Sequence, residues 1–163
     1  PEPTSYTNRL DTFRPATNDD FSSIWEIIHQ ARAKMAAEKR QQWNESYPEP
    51  EQIATDISYA HAYVLCRELK PLACGALFVT ESHIEGKWPG ENPFVVVHRL
   101  AVADGMKGKG IATAFMKEVE KEPEKRGDEF QVDTNFDNVS MRKVLEKLGF
   151  TYCGDIRFQR GKR

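Results

Sequence analysis

The chain has 163 residues, 39% of them hydrophobic and 29% charged, with a formal net charge of −2. That length suits one domain spanning 1–163 with a core of its own. No stretch approaches the roughly 18 unbroken apolar residues of a membrane helix, and so balanced a charge creates no field to gather nucleic acid, so neither membrane nor nucleic-acid partners are expected.

In chain order, PEPTSYTNRL lacks the basic start and apolar core of a signal peptide. Cys66, Cys74 and Cys153 are odd in number and form no Cys-x-x-Cys pair, which points to reduced thiols and a cytoplasmic protein. A short strand is expected near LDTFRPA. Thr17 or Asn18 then offers an N-cap, followed by acids and by Phe21, Ile24, Trp25, Ile28, Ala31 and Met35 at helical spacing. A loop carries Trp43 and Tyr47, where they can face a substrate. Pro48 and Pro50 flank Glu49 and open a second helix marked by Ile53, Ile57 and Ala60.

AYVLCREL and LACGALFVTES read as a hairpin of two strands turning at Lys70-Pro71. PFVVVHRLAVA is a near-continuous apolar run, the pattern of a strand covered on both faces. GIATAFMKEVEKE has helical spacing and stops at Pro123. DEFQVDT is a strand, NVSMRKVLEKLG a helix closed by Gly149 as its C′ residue, and FTYCGDIRF one last strand. Hairpins mixed with β-α-β units predict an α/β fold of three layers, α/β/α, around a mixed sheet.

The most informative stretch is HRLAVADGMKGKGIAT, where Gly105, Gly108 and Gly110 sit between a strand and a helix with Lys107 and Lys109 interleaved. Such a turn exposes backbone N–H groups at the positive end of a helix, and the lysines add charge, which suits a diphosphate. It is not a Walker loop, because Ile111 and Ala112 stand where Lys and Ser/Thr belong. It is not the dinucleotide fingerprint either, since Thr113 replaces the third small residue.

The turn resembles the central motif of the GCN5-related N-acetyltransferase (GNAT) family, an apolar strand end followed by [Q/R]-x-x-G-x-[G/A] at the head of a helix. Here it reads LAV at 100–102 and Lys107-Gly108-Lys109-Gly110-Ile111-Ala112. NVSMRKVLEKLGF, from Asn138 to Phe150, resembles the family's later N-x-x-A-x-x-[LV]-Y-x-K-x-G-F segment. The likeness implies a splayed sheet of the acyl-CoA N-acyltransferase type and transfer of acetyl from acetyl-CoA to an amine, of a small molecule or of a peptide or protein. By resemblance, the backbone of Leu100, Ala101 and Val102 pairs with pantetheine. The N–H groups from Gly108 through Gly110, Ile111 and Ala112 to Thr113 hold the pyrophosphate beside Lys107 and Lys109, and Asn138 bonds the arm near the thioester.

An alkyl ammonium of pKa about 10.4 needs a base before it can attack a thioester. His98 occupies a position that often carries a catalytic His or Glu in the family; its other reading is a packed core histidine. Glu81, at the end of the preceding strand, is the second candidate base or else a solvated carboxylate. The family's acid, a tyrosine, maps onto Leu145, which cannot donate a proton; Tyr152 and Cys153 are the substitutes within reach in sequence. That departure keeps a second reading open, an acyl-CoA-binding module with weak or lost catalysis. The chain runs out soon after GDIRFQRGKR, leaving little room for the family's final strand and a sheet edge for a second copy to cover, as in a homodimer.

His29, His61 and His83 stand alone, so no metal site is expected. Glu45, Glu49, Glu51 and Asp56 form an acid-rich stretch that either attracts a cationic amine or is a solvated face. Asp133 and Asn135 either contact substrate or cap the next helix.

Overall fold

The computed structural model describes residues 11–37, 49–80, 94–106, 109–122, 129–133, 139–152 and 157–161. Its strands are β1 (Asp11–Pro15), β2 (Ala62–Arg67), β3 (Lys70–Thr80), β4 (Phe94–Val102), β5 (Glu129–Asp133), β6 (Thr151–Tyr152) and β7 (Arg157–Gly161). Its helices are α1 (Phe21–Ala37), α2 (Pro50–Ser58), α3 (Ile111–Lys121) and α4 (Val139–Lys147). The strands form one seven-stranded sheet in the order β1-β2-β3-β4-β5-β7-β6. Neighbours run antiparallel except β4 and β5, which are parallel and are joined through α3.

Alternation along the strands divides the side chains between two cores. Ala62, Val64, Cys66, Cys74 and Ala101 face α1 and α2, packing on Ile24, Ile27, Ile28, Ile53 and Ile57. Tyr63, Leu65, Ala73, Leu77, Val95 and Val97 face α3 and α4, packing on Phe115, Met116, Val119 and Leu145. The three-layer mixed architecture expected from the element order is therefore present.

Several local expectations are corrected. The hairpin turns at Glu68-Leu69, two residues early, because Glu68 takes the left-handed conformation (φ +58). Pro71 lies inside β3, at the irregularity where Leu65 pairs with Ala73 and Cys66 with Pro71, a place where a missing N–H is tolerated. Ala60 falls outside α2, in a turn with φ +62. The last strand is two, β6 and β7, and β7 is flanked by β5 and β6, so the final strand is not missing. Gly149 does close α4: its φ is +95, its N–H bonds to Glu146 and that of Phe150 to Leu145.

Ion pairs tie outer strands of the sheet to the helices. Thr17 caps a 3-10 turn, Asn18–Asp20, ahead of α1, and Asp20 accepts from the Arg14 guanidinium on β1 at 2.7 and 3.0 Å and from the Thr17 N–H at 2.8 Å. The Arg14 bonds hold the Asp20 carboxyl below its ordinary range. At the other end, the buried Arg160 of β7 lies 5.3 Å from the Phe130 ring and 5.1 Å from the Phe150 ring, donates to the Leu148 carbonyl at 3.0 Å and pairs with Glu120 at 2.8 Å. It ties β7 to β5, to α3 and to the end of α4.

Arg160→Ala removes a buried side chain that packs on two rings and holds the Leu148 carbonyl, and the loss should be about 2 kcal/mol, to be read from urea unfolding. A depressed carboxyl stabilises above its unfolded pKa and stops doing so as pH falls through its folded one. Asp20→Asn should therefore be less stable than the wild type at pH 7, with the difference closing as pH drops below about 4.

Candidate active site

Pairing of β4 with β5 covers only Phe94–Val97 on Glu129–Val132. Beyond Val97, β4 keeps its bonds to β3, with Ala101 opposite Cys74 and Val102 opposite Ala73, while no described strand meets its other edge. From His98 to Val102 the described β4 and β5 have therefore parted, and this edge of β4 is placed to bond an extended ligand that carries amides.

The edge leads into the glycine turn. Met106 N–H closes a turn on the Ala103 carbonyl at 3.1 Å with Gly105 at φ +85, and the Gln30 side chain of α1 accepts from the Asp104 N–H at 3.0 Å. Gly110 is the N-cap of α3 in the left-handed region (φ +78), and no acidic residue occupies the first turn of that helix. The first amides of α3, those of Ile111, Ala112 and Thr113, precede the first described main-chain bond of the helix, from the Ala114 N–H to the Gly110 carbonyl at 3.0 Å, and they open beside the exposed Lys109. A strand edge running into a positively polarised helix end fits a ligand with an amide-bearing arm and an anionic head. Lys107, Gly108, Asn138 and Glu81 lie outside the described residues, as do Glu45, Trp43, Tyr47, His83, Asn135 and Cys153.

His98 is the first β4 residue past the last β4–β5 pair, half-buried, and its ring meets Phe78 of β3 edge-on at 5.3 Å. Phe78 also packs against His61 at 4.1 Å. A cleft of about 330 Å³ opens on this face, lined by Glu51, Gln52, Thr55, Asp56, Tyr59, His61, Phe78 and Arg99. Sequence reasoning left His61 as a solitary histidine and did not single out Phe78, Tyr59 or Arg99.

The acid-rich stretch resolves into three roles. Glu49 and Gln52 form the capping box of α2, Glu51 is exposed on the cleft wall, and Asp56 is buried. Arg99 Nε donates to Asp56 Oδ2 at 2.7 Å and Nη2 to Oδ1 at 2.8 Å. Cys74, in the core below, has its thiol pushed up to about 12 by burial, so it stays protonated and is no nucleophile. Leu145 is fully buried in the α3–α4 core. Tyr152 lies on β6, separated from β5 by β7, with its side chain exposed.

Comparison with known proteins names this layout. The acetyltransferase (GNAT) family model matches residues 23–150, and the chain belongs to that family. Among solved structures, a GNAT-family acetyltransferase from Streptococcus agalactiae 2603 superposes with a TM-score of 0.81 at 28% identity, covering 94% of this chain and 96% of that one. An acetyltransferase from Staphylococcus aureus gives 0.67 at 22% identity over 92% and 98%. The NatC complex bound to Gag peptide and CoA gives 0.68 at 15% identity over 94% and 99%. No curated protein matches the sequence significantly. The chain is thus an acyltransferase that uses acetyl-CoA as cosubstrate. Among the described residues no group of three His, Cys, Asp or Glu could hold a metal, and no helix is long and apolar enough to cross a membrane.

Gly110→Ala places a Cβ in a left-handed conformation at the phosphate end, a cost of about 1.4 kcal/mol. Acetyl-CoA should bind about tenfold more weakly by calorimetry, with the urea midpoint little changed if the strain is relieved by shifting the turn.

Proposed function

We propose that the chain, as one domain, transfers acetyl from acetyl-CoA to a primary amine by direct attack, with His98 as general base. The observation that carries this reading is the position of His98: it stands where the sheet parts, between the open β4 edge and the Phe78 end of the cleft. Acetyl-CoA supplies an activated acyl group on a thiol of pKa about 8.5, a tolerable leaving group. The peptide groups of Leu100, Ala101 and Val102 hold its arm, and the amides of Gly110, Ile111, Ala112 and Thr113, with Lys109, hold its pyrophosphate. Lys107, Gly108 and Asn138 complete that set by resemblance, and Glu81 remains the second candidate base.

The acceptor enters from the cleft, where the Glu51 carboxylate and the Tyr59 and Phe78 rings favour a cation. The His98 imidazole takes the proton from the amine nitrogen, directly or through one water, and passes it to solvent. With Leu145 in the core, no acid stands at that helix position; the thiolate leaves unprotonated, at a cost of about 10²-fold in rate. The same observation favours a second reading, a module that binds acyl-CoA with weak or lost turnover.

Peptide amines belong beside small ones as acceptors, because a structure of similar fold belongs to the NatC complex, which is bound to Gag peptide and CoA. The buried free thiols of Cys66 and Cys74 fit a cytoplasmic setting. The argument for a homodimer from a missing last strand is gone, since β7 is paired on both edges.

Release of free CoA should be measured with spermidine, tyramine and a hexapeptide bearing a free N-terminus. At least one amine should drive release, and His98→Gln should lower kcat about 10²-fold while leaving acetyl-CoA binding intact. Unchanged turnover in His98→Gln removes the base assignment, and binding without release from any amine selects the second reading.

A further inference from the structure

Among the described residues outside glycine, Ala60, Glu68 and Arg99 have positive φ, and of these Arg99 (φ +56) lies inside a strand. The others sit in turns, where such a conformation is ordinary; within a strand a long side chain avoids it. The reason is a bulge. Cys74 pairs with Ala101 and Ala76 with His98, so Arg99 and Leu100 of β4 together oppose Gly75 of β3.

One added residue moves everything after it by a step. His98 and Arg99 both face α2, Leu100 returns to the α3–α4 core, and the peptide groups that reach the open edge from Leu100 to Val102 are those the bulge selects. The bulge is gripped from both layers. On the α3 side, a Cβ at Gly75 would come within 2.9 Å of the Phe115 ring, so that ring occupies the space beneath. On the α2 side, the guanidinium of Arg99 forks onto Asp56, with side chains only 13% and 9% exposed. A planar fork fixes orientation as well as distance. The same Asp56 accepts through its main-chain carbonyl from the His61 N–H at 2.8 Å, and the His61 carbonyl accepts from the Leu77 N–H at 2.8 Å.

We infer that the Arg99–Asp56 ion pair positions the acceptor cleft against the acetyl-bearing edge of β4, through a joint that the cofactor's own contacts do not supply. The pair joins the wall formed by α2 and His61 to the strand on which the acetyl group is laid out, so it sets the approach of amine to thioester. Arg99 and Asp56 are positioning residues; neither handles the proton. This inference rests on the acetyl-transfer reading above.

Glycine adopts φ +56 without strain, so Arg99→Gly removes the guanidinium and keeps the bulge. Arg99→Gly with Asp56→Leu removes both partners and strands no buried charge. In both variants acetyl-CoA should bind within threefold of the wild type by calorimetry, while kcat with the best amine of the panel falls at least tenfold and the KM for that amine rises. Hydrogen exchange of residues 53–58 should quicken in both, and the double variant should be no slower than the single one, since the pair acts as a unit. A loss confined to acetyl-CoA affinity, or a kcat within twofold of the wild type, overturns the inference and leaves acetyl transfer standing. A wild-type protein that does not bind acetyl-CoA overturns the reading of the site and the inference with it.

Discussion

β4 pairs with β3 on both sides of its bulge, from Phe94 to Val102, but with β5 only as far as Val97. The site follows from that mismatch. A strand that loses its partner while its flanks stay buried exposes main-chain donors and acceptors that need an occupant, and water or an extended ligand are the occupants available. Because the edge runs into the turn before α3, a strand edge and a helix terminus stand in succession, an order that suits an extended ligand with an anionic head. His98 marks the point of parting, which is why a residue of an apolar strand can be half-exposed and chemically placed.

The architecture is pinned by arginine–carboxylate pairs that cross between elements. Arg14 with Asp20 joins β1 to the start of α1, Arg99 with Asp56 joins β4 to α2, and Arg160 with Glu120 joins β7 to α3. Each has at least one partner largely withdrawn from water, where a lone charge would be costly, so the pairs hold geometry more than they add net stability. Arginine suits this task because its fork meets a carboxylate in one plane. The middle pair alone touches the site, and it does so by holding a backbone irregularity.

Periodicity carried most of the element assignment. The amphipathic spacing in α1 and α3, the continuous apolar run of β4 and the glycine closing α4 are local signals, written within a dozen residues. The hairpin turn and the last strand were misread where long-range pairing decides. Pro71 marks a turn by itself, yet it is accommodated inside β3 because the register with β2 slips beside it. FTYCGDIRF reads as one strand, but its start pairs with its end as β6 and β7.

The chain by itself determined the glycine turn at the head of α3, the three-layer fold and the place of His98 in an apolar strand, because glycine freedom and hydrophobic spacing are properties of neighbours in sequence. Only the tertiary structure decided that Asp56 is a buried partner rather than one more acid on a solvated face, that Arg99 bends β4, and that His61 and Phe78 share a cleft. Those facts depend on residues 43 positions apart meeting across two layers. Neither the carboxylate nor the guanidinium carries a local sign of it, since the energy of the pair exists only once water has been removed from around both.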